Sequence, residues 1–375
     1  MEEEPPIYRL PHDTLHQIFS SLPLRQIILC RSLSKFFHHL LTTPSFLHLL
    51  STTHPPLHLL ALRHPHRHNH HHHSHNHNHP FHLFDPDHNT WLHFPLDFLP
   101  FHSPLPVASS HGLLYLWAEP NSPRPNNLNS PPTKSLVACN PLTRQFRVLP
   151  HLGSAWSRHG CVLVDSDNRV MVLTELAALY CNSTSHWLKF SSNLPSKPRS
   201  PVLIGDSAFA LCDVGSPWRS QWKLYSCRVA AATSTAWSRL ERHEWGDVFD
   251  ILRRPRLVRG DRNRILMVGG LKSSFSLNSP CSTILILRLD LDSLEWDEAA
   301  RMPPEMFRCF QESSKFKVFG AGDRVCFSAK RIGKLALWDH RAPKGAEWRW
   351  IDNLPGNGDG LYRGFVFEGR LNALP

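Results

Sequence analysis

Apolar residues in the first fifty positions recur every three or four residues, which is the period of a helix with one buried face. They keep this spacing on both sides of Pro23, at positions 15, 18, 19 and 22 and then at 29, 33, 36, 37 and 40. Pro11 and Pro23 lie where helices would begin, and proline is tolerated there because its missing N–H would have no partner anyway. The pattern predicts two or three short amphipathic helices.

These helices are too small a unit to hide all of their large side chains. One interpretation is that the leucines and phenylalanines form the core of an ordinary helical bundle. However, a segment of about 40 residues has little interior. We therefore expect part of its apolar surface to be covered by another polypeptide.

From about residue 57 the pattern changes to short runs of β-prone residues, which predicts an all-β region with many strands. Clear examples are residues 113–117, 162–164, 170–173 and 283–287. The 32 prolines and 18 glycines fit this interpretation, because both residues end strands and form turns.

A loose repeat runs through the β-prone region. An aromatic residue is followed within a few positions by a Leu-Pro or Met-Pro pair, except at Trp237, which is followed by Leu240 without a proline. The aromatic residues stand at 91, 146, 187, 237, 296 and 350, with separations of 55, 41, 50, 59 and 54. Units of about 50 residues are typical of the blades of β-propellers. The sequence therefore predicts a mainly β protein, with a small helical module at residues 1–50 and a six-bladed propeller at 51–375.

Composition points to a protein that is neither exported nor embedded in a membrane. The first residues are acidic, unlike a secretory signal, and no run of about 18 apolar residues occurs. Nine dispersed cysteines without a C-x-x-C pair favour reduced thiols. We expect a protein of the nucleus, the cytoplasm or both.

Residues 64–79 contain ten histidines. Imidazoles at this density can bind transition metals, but a designed site needs fixed ligand geometry that a low-complexity polar stretch does not supply. We expect a disordered insertion at residues 64–80, and neither a metal nor another cofactor.

The formal net charge of +10 raises a nucleic-acid partner as an alternative. The densest basic cluster has arginines at 253, 254, 256, 259, 262 and 264, interrupted by Pro255 and Asp261. These interruptions favour a solvated loop over a basic helix. Nucleic-acid binding is therefore the weaker interpretation.

The helical module resembles the F-box motif. The resemblance rests on Leu10-Pro11-x-x-x-Leu15-x-x-Ile18-Phe19-x-x-Leu22-Pro23-Leu24 and on the segment Arg31-Ser32-Leu33-Ser34-Lys35-Phe36-Phe37. Ser34 stands where cysteine is usual in the family, and Phe37 stands where tryptophan is usual. The resemblance implies that residues 1–50 bind a Skp-type adaptor, which in turn binds a cullin. By position, the implied contact residues are Leu10, Pro11, Leu15, Ile18, Leu22, Pro23, Leu24, Ile27, Arg31, Leu33, Lys35 and Phe37.

Three further segments resemble the plant F-box/kelch-repeat proteins. They are His111-Gly112-Leu113-Leu114-Tyr115, Asn140-Pro141-Leu142-Thr143-Arg144 and Arg264-Ile265-Leu266-Met267-Val268-Gly269-Gly270. Gly269-Gly270 is the one full kelch diglycine, so the repeats are degenerate. The resemblance implies that the last strand, in residues 363–368, closes the ring with the first blade.

Together these resemblances imply the substrate receptor of an SCF-type ubiquitin ligase, with an unknown protein target held by the propeller. An intrinsic enzyme is disfavoured because H-E-x-x-H, G-x-S-x-G and phosphate-loop signatures are all missing. The remaining alternatives are a propeller scaffold acting outside ubiquitination and the nucleic-acid binder. The sequence does not identify the propeller face that holds the target.

Overall fold

A computed structural model of the chain describes residues 6–63, 81–120, 134–181, 186–229, 236–273, 281–311, 315–322, 324–341, 345, 347–356 and 360–375. The histidine-rich residues 64–80 lie outside this set. In the described part of the chain, no helix is long and apolar enough to cross a bilayer. All nine cysteines are free thiols, as the sequence predicted.

The N-terminal module consists of a short 3₁₀ turn and four α-helices. The turn spans Pro6–Arg9, and the helices are α1 His12–Ser20, α2 Leu24–Cys30, α3 Lys35–Leu40 and α4 Pro44–Thr53. Pro11 and Pro23 are the residues at which α1 and α2 begin, as predicted. The hydroxyls of Ser34 and Thr43 accept the N–H groups of Phe37 and Phe46, which caps α3 and α4. Local sequence therefore sets all four helix starts.

Among the described residues, the β region contains 24 strands in six four-stranded antiparallel sheets, which are the blades of a propeller. The first three blades contain β1 Leu57–Arg63, β2 Phe81–Asp85 and β3 Thr90–Phe94; β4 Phe101–Ser110, β5 Leu113–Pro120, β6 Ser135–Asn140 and β7 Gln145–Val148; and β8 Cys161–Val164, β9 Val170–Leu173, β10 Leu176–Tyr180 and β11 Trp187–Ser191. The last three contain β12 Arg199–Ile204, β13 Ser207–Asp213, β14 Trp222–Arg228 and β15 Ser238–Leu240; β16 Leu252–Arg259, β17 Arg264–Lys272, β18 Cys281–Asp290 and β19 Trp296–Arg301; and β20 Phe316–Ala321, β21 Arg324–Ala329, β22 Leu335–Asp339 and β23 Glu347–Ile351.

The ring is closed by the last strand, β24 Arg363–Gly369, which pairs with β1 and becomes the innermost strand of the first blade. This confirms the expected closure by residues 363–368. The innermost strands contact one another in the order β24, β4, β8, β12, β16 and β20, and β20 returns to β24. A propeller closed in this way joins its two ends by main-chain hydrogen bonds and leaves only short outer edges.

The aromatic repeat marks the outermost strand of each blade. Five of its members lie in β3, β7, β11, β19 and β23, and Trp237 lies directly before β15. The repeat also joins neighbouring blades, because the indole of Trp187 donates a hydrogen bond to the Pro150 carbonyl at 2.7 Å. Trp91 does the same across the closure, to the carbonyl of Asp352 at 3.1 Å. The six-bladed architecture predicted from this spacing is confirmed.

A second repeat ends the third strand of four blades. A side-chain oxygen of Asp85, Asn140, Asp290 or Asp339 accepts the N–H group two residues further on, at 3.0 Å in each case. Such Asx turns direct the chain back into the outer strand. An Asp or Asn at this point of each unit is the signal that would have located these turns.

In the part of the β region that the structure describes, links between blades carry the short helices α5 Ser154–His159 and α6 Pro304–Gln311 and a 3₁₀ turn at His243–Trp245. Helix α6 begins directly after Met302-Pro303, the Met-Pro pair that ends the fifth repeat. Helix α6 is amphipathic and buries Met306, Phe307 and Phe310 against the fifth and sixth blades. A helix of eight residues is too short for its hydrophobic periodicity to be recognised reliably in the sequence.

Candidate docking surface on the N-terminal helices

The N-terminal helices expose an unusual share of large apolar side chains. Ten such side chains are exposed among the described residues, and five of them lie in this module: Ile7, Leu10, Ile18, Leu29 and Leu33. Leu29 is 60% exposed and Leu33 is 71% exposed. Exposed apolar groups concentrated in one small region are typical of surfaces that bind other proteins.

The twelve residues carried over from the F-box motif divide between this surface and the interior. Leu10, Pro11, Ile18, Pro23, Leu33 and Lys35 are exposed, and Leu22 is half-buried. Leu15, Leu24, Ile27 and Phe37 are buried in the core of the module, and Arg31 is buried beside the propeller. The motif therefore mixes side chains that hold the helices together with side chains that a partner can reach.

Leu29 and Ile7 were missing from the sequence-derived set. Leu29 belonged to the helical pattern but was counted with its apolar face, whereas the structure turns it outward at the end of α2. Leu29 and Leu33 are four residues apart along a continuing helical turn, since Leu33 N–H donates to the Cys30 carbonyl at 3.1 Å. Residues at this spacing are neighbours on a helical surface.

The two positions that depart from the usual motif both have a structural role. Ser34 caps α3 through its hydroxyl. Phe37 is 8% exposed and packs against Tyr8 and Phe19, with ring centroids 5.5 Å and 5.2 Å apart. Both replacements are thus accommodated within the module.

The helical module is packed directly onto the propeller. Leu371, which follows the closing strand, is buried in the core of the helices, and Leu57 and Leu142 pack against the same cluster. The Arg31 guanidinium donates to the Leu142 carbonyl at 3.3 Å. Burial lowers the pKa of Arg31 from its ordinary value. The side of the ring that carries Leu142 and the end of β24 is called the F-box face below.

Asn140 ties the C-terminal segment to this interface. Its side-chain amide donates to the carbonyls of Arg370 and Ala373, both at 2.9 Å, and its oxygen accepts the N–H of Leu142 at 3.0 Å. The side chain is fully buried. One residue of the Asn-Pro-Leu-Thr-Arg segment therefore links the second blade to Arg370 and Ala373, which flank the Leu371 that is buried among the helices.

We expect Asn140→Ala to lower the free energy of unfolding by about 2–3 kcal/mol, because it removes the three hydrogen bonds of a fully buried side chain and leaves two carbonyl groups without this donor. Chemical denaturation followed by tryptophan fluorescence measures the loss. Asn372→Ala is the control, since Asn372 lies on the same C-terminal segment but is exposed. Equal losses in the two variants would contradict the role assigned to Asn140.

Comparison with known proteins identifies the family. The F-box domain model matches residues 7–49. The chain is 64% identical over 383 aligned residues to SKP1-interacting partner 15 of Arabidopsis thaliana, with full coverage of both chains. The chain belongs to the SKP1-interacting partner 15 family of F-box proteins. The F-box resemblance is thereby confirmed for residues 7–49.

Solved structures resemble the chain only distantly. A protein from Lactobacillus plantarum is 14% identical, with 80% of this chain and 83% of that chain covered and a TM-score of 0.44. YjhT is 10% identical, with 72% and 91% covered and a TM-score of 0.42. The propeller fold is established by the strand pairing of the chain itself.

The basic cluster of this family member is not a loop, so that expectation was wrong. Residues 252–259 form β16, and a bulge between Arg253 and Arg256 accommodates Pro255, which has no N–H to donate. The strand separates the arginines. Arg253, Arg254 and Arg256 lie where β16 begins, whereas Arg259 ends β16, Arg262 lies in the following turn and Arg264 begins β17.

The beginning of β16 lies on the face opposite the helices, which is called the distal face below. Arg63 and Arg363 mark this face, because they pair across β1 and β24 at the end opposite to the Leu57 and Gly369 pair. Lys317 lies near the start of β20, and the positive charges of Arg363, Arg256 and Arg199 are close enough to lower its pKa. The cations that begin the innermost strands of four blades therefore converge on the distal face.

Lys317 should produce a specific dependence of stability on pH. Burial and the nearby cations Arg363, Arg256, Arg199 and Lys315 lower its pKa from 10.5 to about 8. Between these two values the unfolded chain keeps a proton that the folded chain has lost. Stability rises with pH wherever the unfolded state binds more protons than the folded state. The charge of Lys317 therefore destabilises the folded chain fully below about pH 8, and this destabilisation is relieved as the pH rises above that value.

We therefore expect the free energy of unfolding of the wild type to rise relative to that of Lys317→Met between about pH 7.5 and about pH 9.5. Urea denaturation of both proteins at the two pH values measures the difference. Because all other titrating groups are shared, the comparison isolates Lys317. A difference that stays constant, or that falls with pH, would contradict the lowered pKa.

Proposed function

We propose that the chain is the substrate-recognition subunit of an SCF-type ubiquitin ligase. The F-box binds a Skp-type adaptor and, through it, a cullin, while the propeller binds target proteins for ubiquitination. The observation that carries the proposal is an F-box with exposed apolar side chains, fixed to a closed propeller, in a chain that is 64% identical to a SKP1-interacting protein throughout its length.

The adaptor-contacting residues are, in this proposal, those that the helices leave accessible. Ile18, Leu29 and Leu33 supply the apolar anchors, and Leu10, Pro11, Pro23 and Lys35 extend the same surface. Burial of apolar surface contributes about 25 cal/mol of binding free energy for each Å². These side chains are therefore the main source of affinity. The buried core residues hold in place the helices that carry these anchors; they are Leu15, Leu24, Ile27 and Phe37.

The mechanism is catalysis by proximity. A target held by the propeller and a ubiquitin carrier recruited through the cullin share one assembly, so a rare bimolecular encounter is replaced by an intramolecular one. The packing of Leu371, Leu142 and Arg31 between the helices and the propeller supports a fixed geometry rather than a flexible tether. A rigid link is most effective when its length matches the gap to be spanned.

We also propose that the propeller is of the kelch type and has no catalytic role. The outer-strand aromatic residues and the Gly269-Gly270 pair in β17 support the first point. For the second, burial raises the pKa of Cys139 to about 12 and that of Cys227 to about 11, so these thiols are protonated and unreactive at neutral pH. In the described residues, no group of three or more His, Cys, Asp or Glu side chains could hold a metal. The expected location is the nucleus, the cytoplasm or both.

Co-purification from a host that supplies the adaptor and cullin tests the proposal. We expect the full-length chain to elute in one complex with both partners. A complex with the adaptor but without the cullin would favour the scaffold alternative. Elution without the adaptor would defeat the proposal.

A further inference from the structure

The distal face contains a cavity of about 580 Å³ between the fourth, fifth and sixth blades. One wall is apolar and is formed by Ile284 of β18, Phe307 and Phe310 of α6, and Phe316 of β20. Gly270 lines the same wall, and a Cβ atom there would lie 2.5 Å from the sulfur of Cys281. A side chain at position 270 would therefore have to displace Cys281, which also lines the cavity.

The opposite wall and the rim are basic. Their cations are Arg199, Arg253, Arg254, Arg256, Lys315 and Lys317, and no Asp or Glu lines the cavity among the described residues. The carboxylates with nearby arginines are engaged elsewhere, since Asp290 pairs with Arg264 and Asp339 pairs with Arg324. Within the described part of the chain, no carboxylate forms an ion pair with Arg256 or Lys317.

This arrangement costs the free protein stability. Arg63 and Arg363 stand directly opposite each other in the ladder between β1 and β24, where like charges repel. The Nε of Arg199 is buried without a hydrogen-bond partner, although its guanidinium lies over Trp222 at 4.9 Å. Buried charges and donors of this kind are costly unless they are paired. An anion bound among the cations that line the cavity would offset their mutual repulsion and would stabilise the fold by mass action.

We infer that the distal cavity binds a phosphorylated segment of the target protein, with an apolar side chain next to the phosphorylated one. This inference rests on the proposed function and specifies the class of target. An arginine guanidinium group can donate two parallel hydrogen bonds to the oxygens of a phosphate. One cation would be enough to pair with a single carboxylate, whereas several cations converge at this cavity, which favours a phosphate group. The phenylalanine wall accepts the neighbouring apolar side chain.

The cavity fits a short protein segment better than a nucleic acid. Its volume is in the range of sites that enclose small ligands or a few side chains. Nucleic-acid surfaces present cations along an extended patch, whereas the arginines of residues 253–264 are divided between the two ends of β16. The cavity also lies on the face opposite the helices, where a bound target does not compete with the adaptor for space.

A pooled peptide library tests the inference. The probes are peptides with a central phosphoserine and mixed flanking residues, and the reference is the same pool with serine. Both pools are passed over the immobilised complex of the full-length chain with a Skp-type adaptor. We expect selective retention of the phosphorylated pool, with enrichment of apolar residues beside the phosphoserine and a decrease in retention at high salt.

Two charge-matched variants provide the comparison. Arg256→Gln/Lys317→Gln removes two cations from the cavity, whereas Arg228→Gln/Arg262→Gln removes two exposed cations at the other end of the fourth and fifth blades. The cavity variant should retain the phosphorylated pool at least about tenfold less than the wild type, and the control should match the wild type. Because removal of mutually repelling charges relieves strain, the cavity variant should unfold at a temperature no lower than that of the wild type.

Several results would overturn the inference. They are equal retention of the two pools, equal loss in both variants, enrichment without apolar neighbours, or displacement of the peptides by inorganic phosphate at equal concentration, which would indicate a free phosphate ligand. Tighter binding of a single-stranded oligonucleotide than of the peptides would favour a nucleic acid instead. Adaptor retention is measured in the same eluates: loss of the adaptor defeats the proposed function, whereas loss of peptide binding with the adaptor still present defeats only the cavity's role.

Discussion

Leu29→Ser/Leu33→Ser is expected to weaken binding of a Skp-type adaptor at least about 100-fold, which corresponds to about 3 kcal/mol. The two leucines are 60% and 71% exposed and lie one helical turn apart, so they form a single apolar projection from the module. Central apolar anchors of an interface cost about 2 kcal/mol or more when removed, and the effects of neighbours are not strictly additive. Isothermal titration of the purified chain with the adaptor measures the change.

The fold should be unaffected by this double substitution, because neither leucine contributes to the core of the helices. Val148→Ser/Leu176→Ser is the matched control. These two residues are 44% and 52% exposed on propeller strands, so their replacement removes similar apolar surface away from the F-box. Unchanged adaptor affinity in the F-box variant, or the same loss in the control, would show that the adaptor binds elsewhere.

The helical motif could be predicted from the sequence, but its accessible side could not. Periodicity places Leu15 and Ile18 in the same helix, three residues apart, and both match the F-box motif. In the structure Leu15 is fully buried and Ile18 is 42% exposed, because α1 packs against α4 along only one of its sides. Which side that is depends on where α4 lies, and the hydrophobic pattern of α1 does not contain this information.

The number of blades could be predicted because one aromatic residue recurs in the outer strand of each. The identity of the distal face could not, since it depends on which strand of each blade is innermost. In the first blade the innermost strand comes from the chain end, so Arg63 and Arg363 meet although 300 positions separate them. The basic strand β16 was missed because Pro255 and dense charge resemble a loop, whereas the bulge allows both inside a strand.

The two proposed binding surfaces lie on opposite faces of the propeller ring. The helices are anchored through Asn140, Arg31 and Leu371 on the F-box face, and the basic cavity opens on the distal face. The closed ring of innermost strands connects the two. Weakening the ring should therefore affect both functions, whereas substitutions at either surface should affect one.

Phe367→Ala is expected to lower the free energy of unfolding of the whole chain by about 3–5 kcal/mol, as for large-to-small changes at fully buried aromatic residues. Phe367 lies in β24, is completely buried, and packs in the core shared by the first and second blades, with its ring centroid 6.4 Å from that of Phe81. Its loss leaves a cavity beside the strand that closes the ring. Thermal and chemical denaturation of the full-length chain measure the effect.

Phe146→Ala is the control for Phe367→Ala. It measures the cost of losing a phenylalanine side chain that is not buried in the closing blade. Phe146 belongs to the outer strand β7 and is 39% exposed, so its truncation should cost about 1 kcal/mol or less. Ring closure also predicts that, on heating, Phe367→Ala lowers adaptor binding and peptide retention together. The reason is that the first blade contains Leu57 and is followed by Leu371, and both leucines pack against the helices. If Phe367→Ala were no more destabilising than Phe146→Ala, the pairing of β1 with β24 would not be what holds the ring together.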